Sequence, residues 1–234
     1  TAYVFIATNS TYDNVREQLE PLLKDIKTFD ALAKQKKYDV NVKAGRYAIK
    51  KGMNNNDIIN SIRSINLPIR LSFNNQETLE KLAGRVASQI EADSISVLKA
   101  MKDSAYLAEN DFTNETALGM YLPNSYEFFW NTSAIQFRDR MLKEYNRFWT
   151  DARKEKAKAI GLSRDKVIAL ASIVYEESKQ ASEQPRIAGV YMNRIRIGMP
   201  LQADPTLKFA AYQLPEYKNT VIKRVLNVHK EIAS

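Results

Sequence analysis

Cysteine is absent from the 234 residues, and histidine occurs once, at His229. Thiol chemistry and Cys/His zinc sites are excluded, and a Ser-His-Asp arrangement would have to rest on that single ring. Elimination leaves carboxylate, lysine or tyrosine chemistry. Lack of cysteine is compatible with an extracytoplasmic bacterial protein without requiring one. Long apolar runs are missing too: nothing approaches the roughly 20 residues that span a bilayer, and no signal-peptide pattern precedes Thr1. The chain is expected to be soluble, with its abrupt ends at Thr1-Ala-Tyr-Val-Phe-Ile6 and Glu231-Ile-Ala-Ser234 being edges of a longer protein.

What is present belongs to a folded protein. Hydrophobic residues make up 44% and charged residues 26%, far from the composition of disordered chains. At this length one large or two modest folding units are expected. The formal net charge of +8 points to an anionic partner. Basic residues alternate with acids, as in Lys154-Glu155-Lys156 and Arg138-Asp139-Arg140, rather than clustering, and no binding module for nucleic acid is evident. An acidic polymer or a membrane surface fits better.

Along the chain, Tyr3 to Ala7 reads as a short strand, and Asn9-Ser-Thr11 opens a helix through Val15 and Leu19. A second helix is expected around Phe29 to Lys36, then a strand reached through Gly45 and ending near Ile49. Asn54 to Asp57 cap a helix bearing Ile58, Ile59 and Ile62. Pro68 to Phe73 alternates like a half-buried strand. Helices are predicted over Gln76 to Ile90, Ser94 to Leu107 and Ile135 to Lys158. Asn124-Ser125 is read as a turn, which makes Tyr126, Phe128, Phe129 and Trp130 an aromatic surface on which sugar rings could stack; core packing is the plainer alternative. The fold class is α+β.

Ser163 is a plausible N-cap for a helix carrying Val167, Ile168, Leu170, Ile173 and Val174, apolar nearly all round and so expected to be buried. It runs into Tyr175-Glu176-Glu177-Ser178, an expensive place for charge. Glu177 lies three, four and seven residues after Val174, Ile173 and Leu170, so it continues their face and is expected to be the more buried acid. Burial, a neighbouring carboxylate and the negative helix end would each favour its neutral form, as a general acid requires. A salt bridge to Arg186 or Arg194 is the competing reading.

Three ordered blocks extend beyond this helix: Leu170 to Ser178, Glu183-Gln-Pro-Arg-Ile-Ala-Gly-Val-Tyr-Met-Asn-Arg-Ile195, and Gly198-Met-Pro-Leu-Gln-Ala-Asp-Pro-Thr206. Together they closely resemble the YceG-like family of endolytic peptidoglycan lytic transglycosylases, with weaker similarity back through Pro123-Asn-Ser-Tyr126 to Gly45-Arg-Tyr47. The βααβ order and Lys43-Ala-Gly-Arg-Tyr47 also resemble a LysM-like glycan-binding unit, to which a scaffold without ligand is the alternative. The expected architecture is therefore a LysM-like module at 1–66 and a YceG-like α+β catalytic region at 67–234, truncated at its C-terminus.

The resemblance implies that Glu177, the second acid of the family's Glu-x-Glu pattern, is the catalytic carboxyl group. Tyr175 replaces the first acid, which leaves Glu176 a bystander. Tyr126, Asn193, Arg194, Gln202, Asp204 and Thr206 are implied substrate-binding or site-supporting positions. Asn193 and Arg194 could instead brace helices, Gly198 could merely end one, and Asp204-Pro205 could be a simple turn. No metal or other cofactor is implied. The implied substrate is the β-1,4 bond between N-acetylmuramic acid and N-acetylglucosamine within glycan strands, cleaved to leave 1,6-anhydro ends. Peptidoglycan synthases are implied partners. The implied location is the periplasmic side of the bacterial inner membrane, on a single-pass N-terminal anchor outside this chain. A hydrolytic muramidase with Asp204 as its second carboxylate and a non-catalytic glycan-binding scaffold are the alternatives.

Overall fold

The computed structural model describes residues 1–212 together with 214, 215, 217 and 222. His229 lies outside the described residues. The chain is mixed α and β, with two small antiparallel sheets among the described residues, and divides into two compact units, Thr1–Tyr145 and Asn146–Ser234. Among the described residues no helix is long and apolar enough to cross a membrane.

The first unit begins with β1 (Ala2–Ile6), α1 (Tyr12–Leu19), α2 (Ile26–Gln35), β2 (Gly45–Ile49) and α3 (Asn55–Ser64). β1 and β2 pair antiparallel, from Ala2 opposite Ile49 to Ile6 opposite Gly45. The helix starts are local side-chain chemistry. The Thr11 hydroxyl accepts from the Asn14 backbone N–H while Asn14 returns a bond to the Thr11 N–H, and Asn54 accepts from the Asp57 N–H. Val4, Ile6, Val15, Leu19, Phe29, Tyr47 and Ile59 are buried in one apolar core between the helices and the sheet. Tyr47 donates its hydroxyl to the Lys43 carbonyl at 3.0 Å, which satisfies a polar tip inside that core.

A second sheet follows in the same unit. β3 (Pro68–Phe73), α4 (Leu79–Ala87), α5 (Ser94–Met101) and α6 (Ser104–Glu109) precede β4 (Asn124–Phe129), which pairs antiparallel with β3 from Pro68 opposite Phe129 to Phe73 opposite Asn124. α4 starts later than the expected Gln76 because Thr78 caps it, and it ends at Ala87, before the expected Ile90. The helix expected over Ser94 to Leu107 is two, because the Asp103 carboxylate accepts from the Tyr106 N–H and begins α6 afresh. Asn124 and Ser125 do not form a turn but open β4. Strand alternation then buries Tyr126 and Phe128 while Phe129 stays half exposed, so the four aromatics do not share one surface.

α7 (Ala134–Phe148) leads into the second unit, which holds α8 (Asp151–Ala159), α9 (Arg164–Glu177), α10 (Gln184–Arg196) and α11 (Asp204–Tyr212). The single helix expected from Ile135 to Lys158 is broken where Thr150 accepts from the Arg153 N–H and caps α8. Ser163 stands at the N-cap of α9, where it hydrogen-bonds the Asp165 carboxyl and holds it below the usual carboxylate range. Contrary to expectation, α9 is not buried: Val174 is its one buried residue. Apolar residues around a helix are covered only where neighbours exist, and within the described part of this unit α9 turns one stripe to α10 and α11.

Candidate active site

The stripe of α9 that meets α10 carries Leu170, Ile173 and Val174, which pack with Tyr191, Ile187 and Ala188 of α10 and with Leu201 and Ala203. One helical turn beyond Val174 comes Glu177, so helical spacing places this acid at the end of the α9–α10 seam. Glu176, one residue earlier, turns aside and pairs with Lys179 at 2.8 Å. Both acids are exposed, which corrects the expected burial of Glu177: the seam ends just before it. The expected desolvation of this carboxyl group is therefore not supplied by the described residues.

Glu177 is nonetheless held. Tyr191, only 7% exposed, donates its hydroxyl to Glu177 Oε1 at 2.8 Å. Burial, then this hydrogen bond and the charge of Glu177, push the Tyr191 hydroxyl up to about 12, against a smaller opposing pull from Arg194. The end of α9 is fastened as well. Ser178 Oγ donates to Glu183 Oε2 at 2.6 Å, and the Gln184 side-chain amide donates to the Ser178 carbonyl at 3.1 Å. Among the described residues neither Arg186 nor Arg194 forms an ion pair with Glu177.

An open cleft of about 290 Å³ lies beside this pair, lined by Glu177, Ile187, Val190, Tyr191, Arg194, Gln202 and Asp204. Four sequence-selected residues thus come together: Glu177, Arg194, Gln202 and Asp204. Arg194 donates Nη1 to the Leu201 carbonyl, tying α10 to the segment that carries Gln202. Gln202 holds φ at +51°, in the left-handed region that costs a non-glycine residue of order 1–3 kcal/mol. Asp204 begins α11 with Pro205 in its first turn, so the pair starts a helix.

The remaining selections sit elsewhere. Asn193 is exposed on α10, and its carbonyl accepts from the Ile197 N–H at the helix end, where Gly198 follows with φ +67°. Thr206 turns its hydroxyl to the Ala203 carbonyl at 2.7 Å. Tyr126 belongs to β4 of the first unit, where its ring stacks near Phe73 and its hydroxyl donates to the Leu122 carbonyl at 2.6 Å. Tyr191 is the residue that sequence reasoning passed over. Its signal was present: Ile187, Tyr191 and Arg194 follow i, i+4, i+7 spacing, which puts a polar-tipped ring on the packed face of α10. Among the described residues no group of three acids and histidines is placed to hold a metal ion.

The cleft presents one carboxyl group held by a phenol, with a cation, an amide and a second carboxylate around it. This set can transfer a proton and bind polar, hydroxyl-rich or anionic groups. A curated relative, the endolytic murein transglycosylase of Bacillus subtilis (strain 168), is 25% identical over 233 residues, covering 88% of this chain and 64% of the relative. The chain thus spans less than two thirds of that protein's length. The 2.6 Å crystal structure of a yceG-like protein from Listeria monocytogenes superposes with a TM-score of 0.60 at 24% identity, covering all of this chain and 80% of that one, which shows a shared fold. The model of the YceG-like family matches residues 4–232, and the chain belongs to that family.

Proposed function

We propose that the chain is the cutting part of an endolytic peptidoglycan lytic transglycosylase, with Glu177 as its single acid/base group. The observation that carries this reading is the position of Glu177: at the edge of an open cleft, fixed by Tyr191, in a family whose curated relative is named an endolytic murein transglycosylase. Protonated Glu177 donates to the glycosidic oxygen as the bond from C1 of the N-acetylmuramic acid breaks. The C6 hydroxyl of the same sugar then attacks C1 and returns its proton to Glu177, closing a 1,6-anhydro ring without consuming water.

An ordinary glycosidase needs two carboxyl groups, one of them to activate water or to act as nucleophile. Intramolecular attack needs one, and a hydroxyl already on the substrate offsets much of the entropic cost. A glycan strand seated in the cleft would displace water from exposed Glu177 and supply the desolvation that the helix seam does not. Arg194, Gln202 and Asp204 line the path for that strand, the Thr206 hydroxyl braces the Ala203 carbonyl beside them, and exposed Asn193 is proposed to meet the strand further along.

The βααβ part of the first unit is proposed as the LysM-like glycan-holding module. The whole protein is proposed to act at the periplasmic face of the inner membrane, held by an anchor and working beside peptidoglycan synthases. The net charge of +8 suits a polymer bearing peptide carboxylates, through encounter more than through fit. The test is Glu177→Gln in the whole protein with purified peptidoglycan. Retained binding with no fragments released is expected, and fragment release at the unaltered rate would reject the role of Glu177.

A further inference from the structure

We infer that Tyr191 is a positioning residue for the proposed reaction: its hydroxyl, 2.8 Å from Glu177 Oε1, reserves that oxygen and leaves Oε2 as the atom that gives and takes the proton. The inference rests on the acid/base reading of Glu177. Among the described residues no other side chain hydrogen-bonds this carboxyl group, and Glu177 is otherwise exposed, so among them it is the phenol that sets its rotamer. Tyr191 can serve because it is itself fixed. It is buried in the seam among Val174 and Ala203, one turn from Ile187 on α10.

The bond also responds to the reaction. It is an ordinary hydrogen bond while Glu177 is protonated and becomes charge-assisted once the proton has gone to the leaving oxygen. The anion that must survive until the C6 hydroxyl delivers its proton is thus stabilised at Oε1, away from the attacking group. Charged groups around the pair are Arg194 on α10 and Asp204 on α11, which act on Tyr191 with opposite signs, and Glu176 on α9, engaged by Lys179. The upward push on the Tyr191 hydroxyl to about 12 keeps it a donor throughout the physiological range.

A hydrogen bond donated to a carboxylate stabilises the anion that forms once the proton has left. Removing the donor should therefore slow the step that leaves Glu177 as an anion, without weakening the binding of the strand. The experiment measures kcat and KM for whole-protein cleavage of purified peptidoglycan. The variants are Tyr191→Phe, which keeps the buried ring, and 3-fluorotyrosine at position 191, a stronger donor of nearly the same shape. For Tyr191→Phe the expectation is about a tenfold loss in kcat with KM nearly unchanged; the fluorinated ring, which keeps the donor, should retain kcat.

A purely structural Tyr191 would leave kcat unchanged in Tyr191→Phe, which keeps the packed ring, and equal kcat in all three proteins would overturn the inference. Glu177→Gln run beside them separates the two claims. If it stays active, the reading of Glu177 fails. If it is inactive while both Tyr191 variants match the unaltered protein, the positioning role alone fails.

Discussion

Glu91 grips Thr8 with both carboxylate oxygens: Oε1 accepts from the Thr8 backbone N–H at 2.6 Å and Oε2 from its hydroxyl at 2.7 Å. The two residues are 83 positions apart and join the end of β1 to the segment after α4. A neighbouring bond runs from the Glu91 N–H to the Trp130 carbonyl at 2.8 Å, and the Phe5 and Trp130 rings meet edge to face at 5.1 Å. Two small sheets, each too small to stand alone in water, are thereby joined in one unit.

Glu91→Ala should lower stability by about 1–2 kcal/mol, since it removes two bonds to a charged acceptor at a partly solvated site. Chemical denaturation checks this, and a cycle with Thr8→Val should show coupling of about 1 kcal/mol. Strict additivity would mean that the clasp does not hold the sheets together.

Gly45 adopts φ +150°, and a Cβ there would lie 2.5 Å from the Asn66 side chain. Asn66 cannot simply move away, because it accepts from the Arg46 N–H at 3.0 Å and donates to Asn131 at 3.1 Å. Gly45→Ala should cost about 1–3 kcal/mol. Gly52, also at positive φ (+90°) but with open space around it, provides the control that separates backbone strain from collision with a neighbour. A denaturation midpoint for Gly45→Ala equal to that of the unaltered protein would show that the turn into β2 relaxes freely.

Burial raises the hydroxyls of Tyr38, Tyr47 and Tyr121 above their ordinary value of 10.0 and pushes Tyr126 up to about 12. Between pH 10 and the folded-state values the unfolded chain has released protons that the folded chain retains. The stabilisation is therefore fully present below pH 10 and is lost as pH rises through the folded values. Denaturation midpoints should fall steadily above pH 10, with the buried tyrosinate absorbance appearing only as the protein unfolds. Reversible ionisation of every tyrosine near pH 10 without unfolding would contradict this.

The readable features were those governed by residues close in sequence. Thr11 and Asn54 announce helix starts because capping is a bond across three residues, and the alternation in Pro68 to Phe73 declares a strand. Asn124-Ser125 misleads because two good turn residues are overruled by pairing with β3, some fifty positions earlier in the chain. Asp103 and Thr150 divide helices that apolar periodicity makes continuous, since a side-chain cap competes with the next helical bond.

In the site, spacing placed Glu177 on the face that packs against α10 but overstated its burial. Composition measures how apolar α9 is, not how many neighbours cover it. The Tyr191 bond crosses a helix–helix seam, so its partner could not be read from sequence, although the polar-tipped face of α10 could. Among the grouped residues, Gln202 and Asp204 reach the cleft through the turn after α10, which no periodicity encodes.

Asp204 separates two chemistries. If water were activated by a second carboxylate, Asp204→Asn should abolish cleavage. With one acid/base group and an internal nucleophile it should reduce cleavage about tenfold or less, through lost contacts in the cleft, and leave the products the same. Assays of fragment release from purified peptidoglycan decide between these outcomes.

In the proposed reaction Glu177 drives attack by the substrate's own hydroxyl, and the decisive measurement is mass analysis of the new chain ends made by the whole protein in heavy-oxygen water. The expected products are 1,6-anhydro ends carrying no solvent oxygen, formed by the unaltered protein and missing from Glu177→Gln. Reducing ends that are heavier by one labelled water, or anhydro ends that persist in Glu177→Gln, would contradict it.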